Sequence, residues 1–163
     1  MALTDSAPGP LTGPATGPDP VTGPRWDLAL VMTGPPYGSE SLGTVLRLLE
    51  TALRREAAAL VWACGYNTML THTALGDAKP RDPADWNAVH PTTARIIADL
   101  LERHPDDPAR PRPPGGALTW YVCRFCAADR GAGEQIGGVR SASFSRLGGC
   151  VRRSAKTLYL GGA

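Results

Sequence analysis

The chain has 163 residues, of which 42% are hydrophobic, and its formal net charge at pH 7 is +2. This length suits one globular domain with its own core, and so small a charge gives no electrostatic case for nucleic acid or an anionic membrane as a partner. Because no apolar run approaches the length of a membrane span and the polar N-terminus does not resemble a signal peptide, we expect a cytoplasmic protein.

Residues 1–24 are rich in glycine and proline and contain the triplet Thr-Gly-Pro three times. Such a segment cannot bury enough apolar area to offset the entropy that it would lose on ordering. We therefore predict a disordered tail over residues 1–24 and a single α/β domain over residues 25–163.

A continuous apolar run over residues 26–33 predicts a central strand, and leucines at helical spacing follow a turn at residues 34–40. The glycines of this turn match no phosphate-loop pattern, so we expect no nucleotide cofactor. Open α/β sheets bind ligands at the carboxyl ends of their strands, which makes Tyr37 and Ser39 candidate pocket residues. A second strand over residues 58–64 ends at Cys64, which we expect at the same edge and in the same pocket.

Residues 66–90 are irregular, which is typical of a functional lid or a disordered excursion. A short helix is indicated over residues 68–75. His72 and His90 are acid–base candidates by residue type, although a loop or capping role suits each of them as well. The next helix is predicted to begin with Pro91 in its first turn, since proline is favoured there.

The most informative stretch runs from residue 118 to residue 131. Residues 118–123 are apolar, β-branched and aromatic, as in a buried strand, and the composition turns helical from Arg124 until Gly131. Cys123 therefore lies where a strand passes into a helix, with Cys126 one turn further on. The positive end of a helix favours the thiolate form, so we predict that Cys123 is a nucleophile.

The remaining chain predicts a strand over residues 138–142, a helix over 143–153 and a last strand over 156–160. Strands and helical segments thus alternate, which favours an open, mostly parallel five-stranded sheet with helices on both faces, as in flavodoxin-like folds. We interpret Cys150 as a packing residue. We interpret the basic residues of this C-terminal part as a solvated face; they are Arg140, Arg146, Arg152, Arg153 and Lys156.

Four cysteines are too few for a secreted disulfide scaffold, and a Cys-x-x-Cys pair in a reducing compartment is typical of catalysis, redox chemistry or metal binding. Here the pattern from Tyr121 to Gly131, a strand followed by Cys-x-x-Cys-x-x-x-Arg-Gly, resembles the DsrE/DsrF/TusD-like sulfur-relay family. The segments that are also similar to that family are residues 34–40, 138–140, 143–145 and 155–158.

The resemblance implies a DsrE-like domain that assembles as trimers or hexamers, without a cofactor, and carries sulfur as a cysteine persulfide. The sulfur-carrying position of the family falls on Cys123. In the leading hypothesis the Cys123 thiolate takes sulfur from a donor protein and yields it to an acceptor protein. Cys126 would release the sulfur by forming a disulfide or would shield the thiolate.

Three alternatives stay open at the level of sequence. Cys123 and Cys126 could form a dithiol–disulfide redox pair. They could be half of a zinc site, which would need Cys64, Cys150 or a histidine to complete it. The domain could also be a catalytically silent interaction module.

Overall fold

The computed structural model describes residues 25–37, 40–75, 91–107 and 115–161. Two short 3-10 helices, Gly65–Thr71 and Thr73–Leu75, accompany the main elements. In chain order the main elements are β1 (Trp26–Met32), α1 (Ser41–Arg54), β2 (Ala58–Ala63), α2 (Thr93–Arg103), β3 (Ala117–Cys123), α3 (Arg124–Asp129), β4 (Val139–Ala142), α4 (Ser145–Arg152) and β5 (Ser154–Leu160).

The five strands form one sheet in the order β4-β3-β2-β1-β5, and every neighbouring pair is parallel. β2 and β3 are buried along their whole length, as expected of central strands covered on both faces. The predicted open, mostly parallel sheet with a flavodoxin-like arrangement is therefore confirmed.

Two hydrophobic clusters lie on opposite faces of this sheet. The first cluster combines alternate residues of the strands with α1 and α2, whose contributions include Leu49 and Ile97. The second cluster holds Trp62 and Tyr121 and is covered by Leu147 of α4. Since successive strand residues point to opposite faces, both layers come from the same apolar runs. The expectation of helices on both faces is confirmed.

Some predicted boundaries need correction. Helix α2 begins at Thr93, with the Thr92 hydroxyl accepting from Arg95 N–H at 3.2 Å, so Pro91 precedes the cap instead of lying in the first turn. The last strand starts at Ser154, two residues earlier than predicted, because Ser154 pairs with Trp26. The predicted short helix over residues 68–75 is two 3-10 helices, of which the first already starts at Gly65.

Other expectations fall outside the described residues, namely the tail over residues 1–24, Ser39, His90 and the greater part of the irregular segment at 66–90. Among the helices of the described ranges, none is both long and apolar enough to cross a membrane.

Candidate functional site: a cluster of three thiols

The parallel register of two central strands brings together cysteines that are far apart in the sequence. Ala63 of β2 pairs with Val122 of β3, so the next residues, Cys64 and Cys123, leave their strands at the same level. Both therefore lie at the carboxyl edge of the sheet. Cys123 is the N-cap residue of α3, as the strand–helix junction predicted.

Cys126 lies in the first turn of α3 and completes a group that we call the thiol cluster, made of Cys64, Cys123 and Cys126. The three Sγ atoms lie within 4.8 Å of one another. The Sγ atoms of Cys64 and Cys126 are 3.4 Å apart, within hydrogen-bonding distance for sulfur. All three thiols are free, so no disulfide joins them.

The loop after β2 is shaped so that it can supply a hydrogen-bond donor to the cluster. Gly65 has φ +59°, a left-handed conformation that side chains rarely adopt. Its backbone N–H acts on both neighbouring thiols and lowers the pKa of Cys64 as well as that of Cys126. Asn67 fixes this turn, because its side-chain amide donates to the carbonyl of Gly34 at 2.7 Å and to that of Cys64 at 2.9 Å.

Cys126 is the thiol that the cluster stabilises as an anion. Partial burial acts to raise its pKa, but hydrogen bonds from the Gly65 N–H and from the thiols of Cys64 and Cys123 outweigh this, and the charge of Arg130 acts in the same direction. The pKa of Cys126 therefore lies below the ordinary value for a thiol. Cys126 is also partly exposed, so solvent reaches it.

Cys64 is held in the opposite state. Burial, the hydrogen bond to Cys126 and the neighbouring sulfur charges raise the pKa of Cys64 to about 12. Cys64 is thus a protonated donor to its neighbour at neutral pH. Cys123 has only 2% of its surface exposed, so it is the most deeply buried thiol of the cluster.

Arg130 and two exposed aromatic residues lie next to members of the thiol cluster in space or in the chain. The Arg130 guanidinium donates to the carbonyl of Cys126 at 3.1 Å and lies 4.7 Å from the centre of the Tyr66 ring. Tyr66 and Phe125, which adjoin Gly65 and Cys126 in the chain, are 64% and 59% exposed. A positive charge and exposed aromatic surface therefore accompany Cys126 on α3 and in the loop after β2.

The structure places the other predicted site residues away from this chemistry or leaves them untested. Tyr37 is exposed in the loop after β1, and its role in a pocket stays a prediction. His72 accepts from Ala74 N–H through Nδ1, which leaves Nε2–H to donate to the carbonyl of Gly131 at 3.0 Å. These two bonds suit a residue that fastens a loop. Cys150 lies on the buried face of α4, outside the thiol cluster.

Sequence reasoning did not find the contact between Cys64 and Cys126, or the parts played by Gly65 and Arg130. The sequence did contain a signal for the contact between Cys64 and Cys126. Two neighbouring parallel strands that each end in a cysteine bring these cysteines together when the strands end at the same level. The donor N–H of Gly65 depends on a left-handed turn, and the glycine alone does not specify where that N–H points.

The chain is similar in structure to the YchN protein of Escherichia coli, with a TM-score of 0.58 over 82% of this chain and 98% of that one. The two sequences are 19% identical over this match, so the likeness shows the fold. No protein-family model matches the chain. No curated protein matches it either.

Proposed function

We propose that this protein is a DsrE-like sulfur carrier in which Cys126 accepts sulfane sulfur and passes it on as a persulfide. The observation that carries the proposal is the partly exposed Cys126 thiol within a group of three free thiols at the carboxyl edge of the sheet. Its lowered pKa agrees with this role. The thiolate is the nucleophilic form of cysteine. The attacking role of Cys123, which the strand–helix junction predicts, stays a prediction; burial of Cys123 favours Cys126 instead.

The reaction needs no net oxidant or reductant. The Cys126 thiolate attacks the outer sulfur of a donor persulfide, which forms a new S–S bond at Cys126 while the donor's S–S bond breaks and the donor leaves as a thiolate. An acceptor thiolate then attacks the outer sulfur held on Cys126. Cys126 leaves as a thiolate, and a low pKa makes it a good leaving group in this second step.

The state of Cys64 supports a carrier over a redox pair formed by Cys64 and Cys126, whereas the Cys123–Cys126 pair stays an alternative. A Cys64 thiolate, 3.4 Å away, could attack the inner sulfur of a Cys126 persulfide and lose the sulfur as hydrosulfide. Because the pKa of Cys64 is raised to about 12, this thiol stays protonated at neutral pH and is a poor nucleophile. The same protonation slows the formation of a Cys64–Cys126 disulfide.

Partner proteins and self-assembly belong to the same proposal. Exposed Tyr66 and Phe125 beside the cluster suit contact with a donor or acceptor protein, because aromatic side chains are enriched at protein interfaces. Assembly into trimers or hexamers follows from the family resemblance. The exposed Leu158 and Tyr159 on the edge strand β5 support burial of that edge in an oligomer.

The test is to treat the reduced full chain with inorganic polysulfide and locate added sulfur by peptide mass spectrometry. We expect one extra sulfur on Cys126, lost in Cys126→Ser and retained in the matched control Cys150→Ser. Added sulfur on Cys123 alone would show that Cys123, and not Cys126, is the sulfur-accepting thiol. Sulfur on no member of the thiol cluster would contradict the carrier function.

A soft metal ion is a second candidate, favoured by the three convergent thiols. Tetrahedral zinc with Zn–S bonds of about 2.3 Å separates its sulfurs by about 3.8 Å, which is compatible with three Sγ atoms within 4.8 Å of one another. Thiolate ligands favour Zn²⁺ or Cu⁺. Stoichiometric metal in the purified protein, lost in Cys64→Ser, would favour a metal site over a sulfur carrier.

A further inference from the structure

Beside α4, five arginines line one cavity of about 290 Å³. One of these arginines precedes β1, one lies in β4, two lie in α4, and one directly follows α4. We call this region the arginine cavity; its arginines are Arg25, Arg140, Arg146, Arg152 and Arg153. The protein's net charge is only +2, so this concentration of positive charge is local.

Asp106 offsets part of this charge. Its carboxylate forms ion pairs with Arg25 at 2.9 Å and with Arg140 at 3.8 Å. It also accepts a hydrogen bond from the hydroxyl of Thr119. A single carboxylate shared by two guanidiniums leaves positive charge in excess. Arg25 Nε is buried without an acceptor among the described residues, so the region is short of acceptors as well as of negative charge.

Arg146 and Arg152 add to the excess, since neither forms an ion pair with any residue that the structure describes. Arg146 lies 5.6 Å from the centre of the Tyr121 ring. The guanidiniums of Arg25 and Arg153 lie 5.0 Å and 6.0 Å from the centre of the Trp26 ring. Stacking on aromatic faces is a property of arginine that fixes the plane of the guanidinium.

Main-chain contacts hold the two ends of the cavity together. The backbone N–H groups of Arg25 and Trp26 both donate to the carbonyl of Arg153, at 2.8 Å and 3.2 Å. Arg140 donates to the carbonyl of Asp106 at 2.6 Å. The arginines are thus presented by a preformed frame. Like charges gathered in one concavity repel one another, and a bound anion would relieve this repulsion.

We propose that the arginine cavity binds a small oxyanion with two or more negative charges, either inorganic or carried on a phosphate ester. Guanidinium groups match phosphate oxygens through paired N–H donors, and charge assistance makes these hydrogen bonds strong. The volume lies at the lower end of the range of about 300–1,000 Å³ for small-molecule sites, which suits a compact ligand. A concave site of this size does not suit an extended nucleic-acid backbone.

The test uses inorganic pyrophosphate and inorganic phosphate as probes in calorimetric titrations of the full chain at low salt. We expect saturable pyrophosphate binding that weakens as salt rises and exceeds phosphate binding. R146Q/R152Q should weaken pyrophosphate binding by at least about tenfold, because two charge-assisted contacts are lost. Phosphate esters that bind more tightly than pyrophosphate would identify an ester as the ligand.

R47Q/R55Q is the matched control, because it removes the same charge from exposed positions in and just after α1, far from the cavity. We expect it to change the affinity for pyrophosphate less than about twofold. Equal losses in the two double variants, or no binding heat and no rise in melting temperature with millimolar pyrophosphate, would overturn the proposal. A single-stranded oligonucleotide that binds while pyrophosphate does not would also overturn it. Single substitutions R146Q and R152Q serve if the double variant does not fold.

Discussion

Cys126 and Cys150 lie in two regions that both contain arginine, yet the pKa values of the two thiols move in opposite directions. Burial raises the pKa of Cys150 even though Arg146, Arg153 and Arg25 act to lower it. Cys126 has one arginine nearby but also receives hydrogen bonds from Gly65 N–H and two thiols. This contrast indicates that hydrogen-bond donors near the sulfur, more than nearby positive charge, lower the pKa of a cysteine in this fold.

The largest expected difference is in reactivity towards iodoacetamide. Cys126 is partly exposed and ionises readily, whereas Cys150 is 3% exposed with a raised pKa. We expect Cys126 to be alkylated at least about a hundredfold faster near neutral pH, because Cys150 reacts only after local opening. Peptide mass spectrometry over a time course measures both rates in one sample. Comparable rates would show that the two environments do not differ as described.

Removing the donors of the thiol cluster should bring Cys126 closer to the behaviour of an ordinary thiol. In Cys64→Ala and Cys123→Ala one thiol donor to Cys126 is lost, so its pKa should rise. We expect alkylation of Cys126 near neutral pH to slow by roughly threefold to tenfold in each variant, since one pKa unit changes the thiolate fraction about tenfold. Cys150→Ala is the matched control and should leave the rate unchanged.

The same contrast predicts a dependence of stability on alkaline pH. A thiol whose pKa is raised on folding stabilises the protein below its unfolded pKa, and this contribution disappears as the pH rises through the folded pKa. For Cys64 that window runs from 9.0 to about 12. Its slope is at most about 1.4 kcal/mol per pH unit, less where water screens the thiol.

This effect is measured by urea unfolding of the wild type and of Cys64→Ala at pH values from roughly 8 to 11. Stability should fall less steeply with pH in the variant. The contribution of Cys126 to stability has the opposite sign. Because its pKa is lowered on folding, the Cys126 thiolate stabilises the folded state at pH values above the unfolded pKa. Parallel curves for the two proteins would show that Cys64 is not held protonated by the fold.

The smallest effect is expected from Arg130, whose charge acts on Cys126 beside the stronger hydrogen bonds. In Arg130→Gln the alkylation of Cys126 should slow by only about twofold to threefold, because solvent screens the charge. Raising the salt concentration should shrink the difference between the variant and the wild type. Arg146→Gln, a matched change beside Cys150, should leave Cys126 unaffected. A larger decrease in the alkylation rate than in Cys64→Ala would show that the charge of Arg130 lowers the pKa of Cys126 more than the Cys64 hydrogen bond does.

The sequence predicted more of the fold than of the functional site. The alternation of apolar strands with amphipathic helices was enough for the parallel sheet, and Cys123 lies at the strand–helix junction that its sequence indicated. The thiol cluster depends on register: Cys64 meets Cys126 only because β2 and β3 end at the same level. The arginine cavity draws on Arg25 and on residues over a hundred positions later, and charge counting along the sequence suggested only a solvated face.

The central claim, that Cys126 is the thiol held ready as a thiolate, is tested most directly by the pH dependence of its own alkylation. Rates should be followed by peptide mass spectrometry in the folded chain and, as a reference, in the chain unfolded in urea. The account predicts that the midpoint for Cys126 in the folded chain lies at a lower pH than in the unfolded chain. A folded midpoint equal to or above the unfolded one, or a lower midpoint at Cys64, would contradict it.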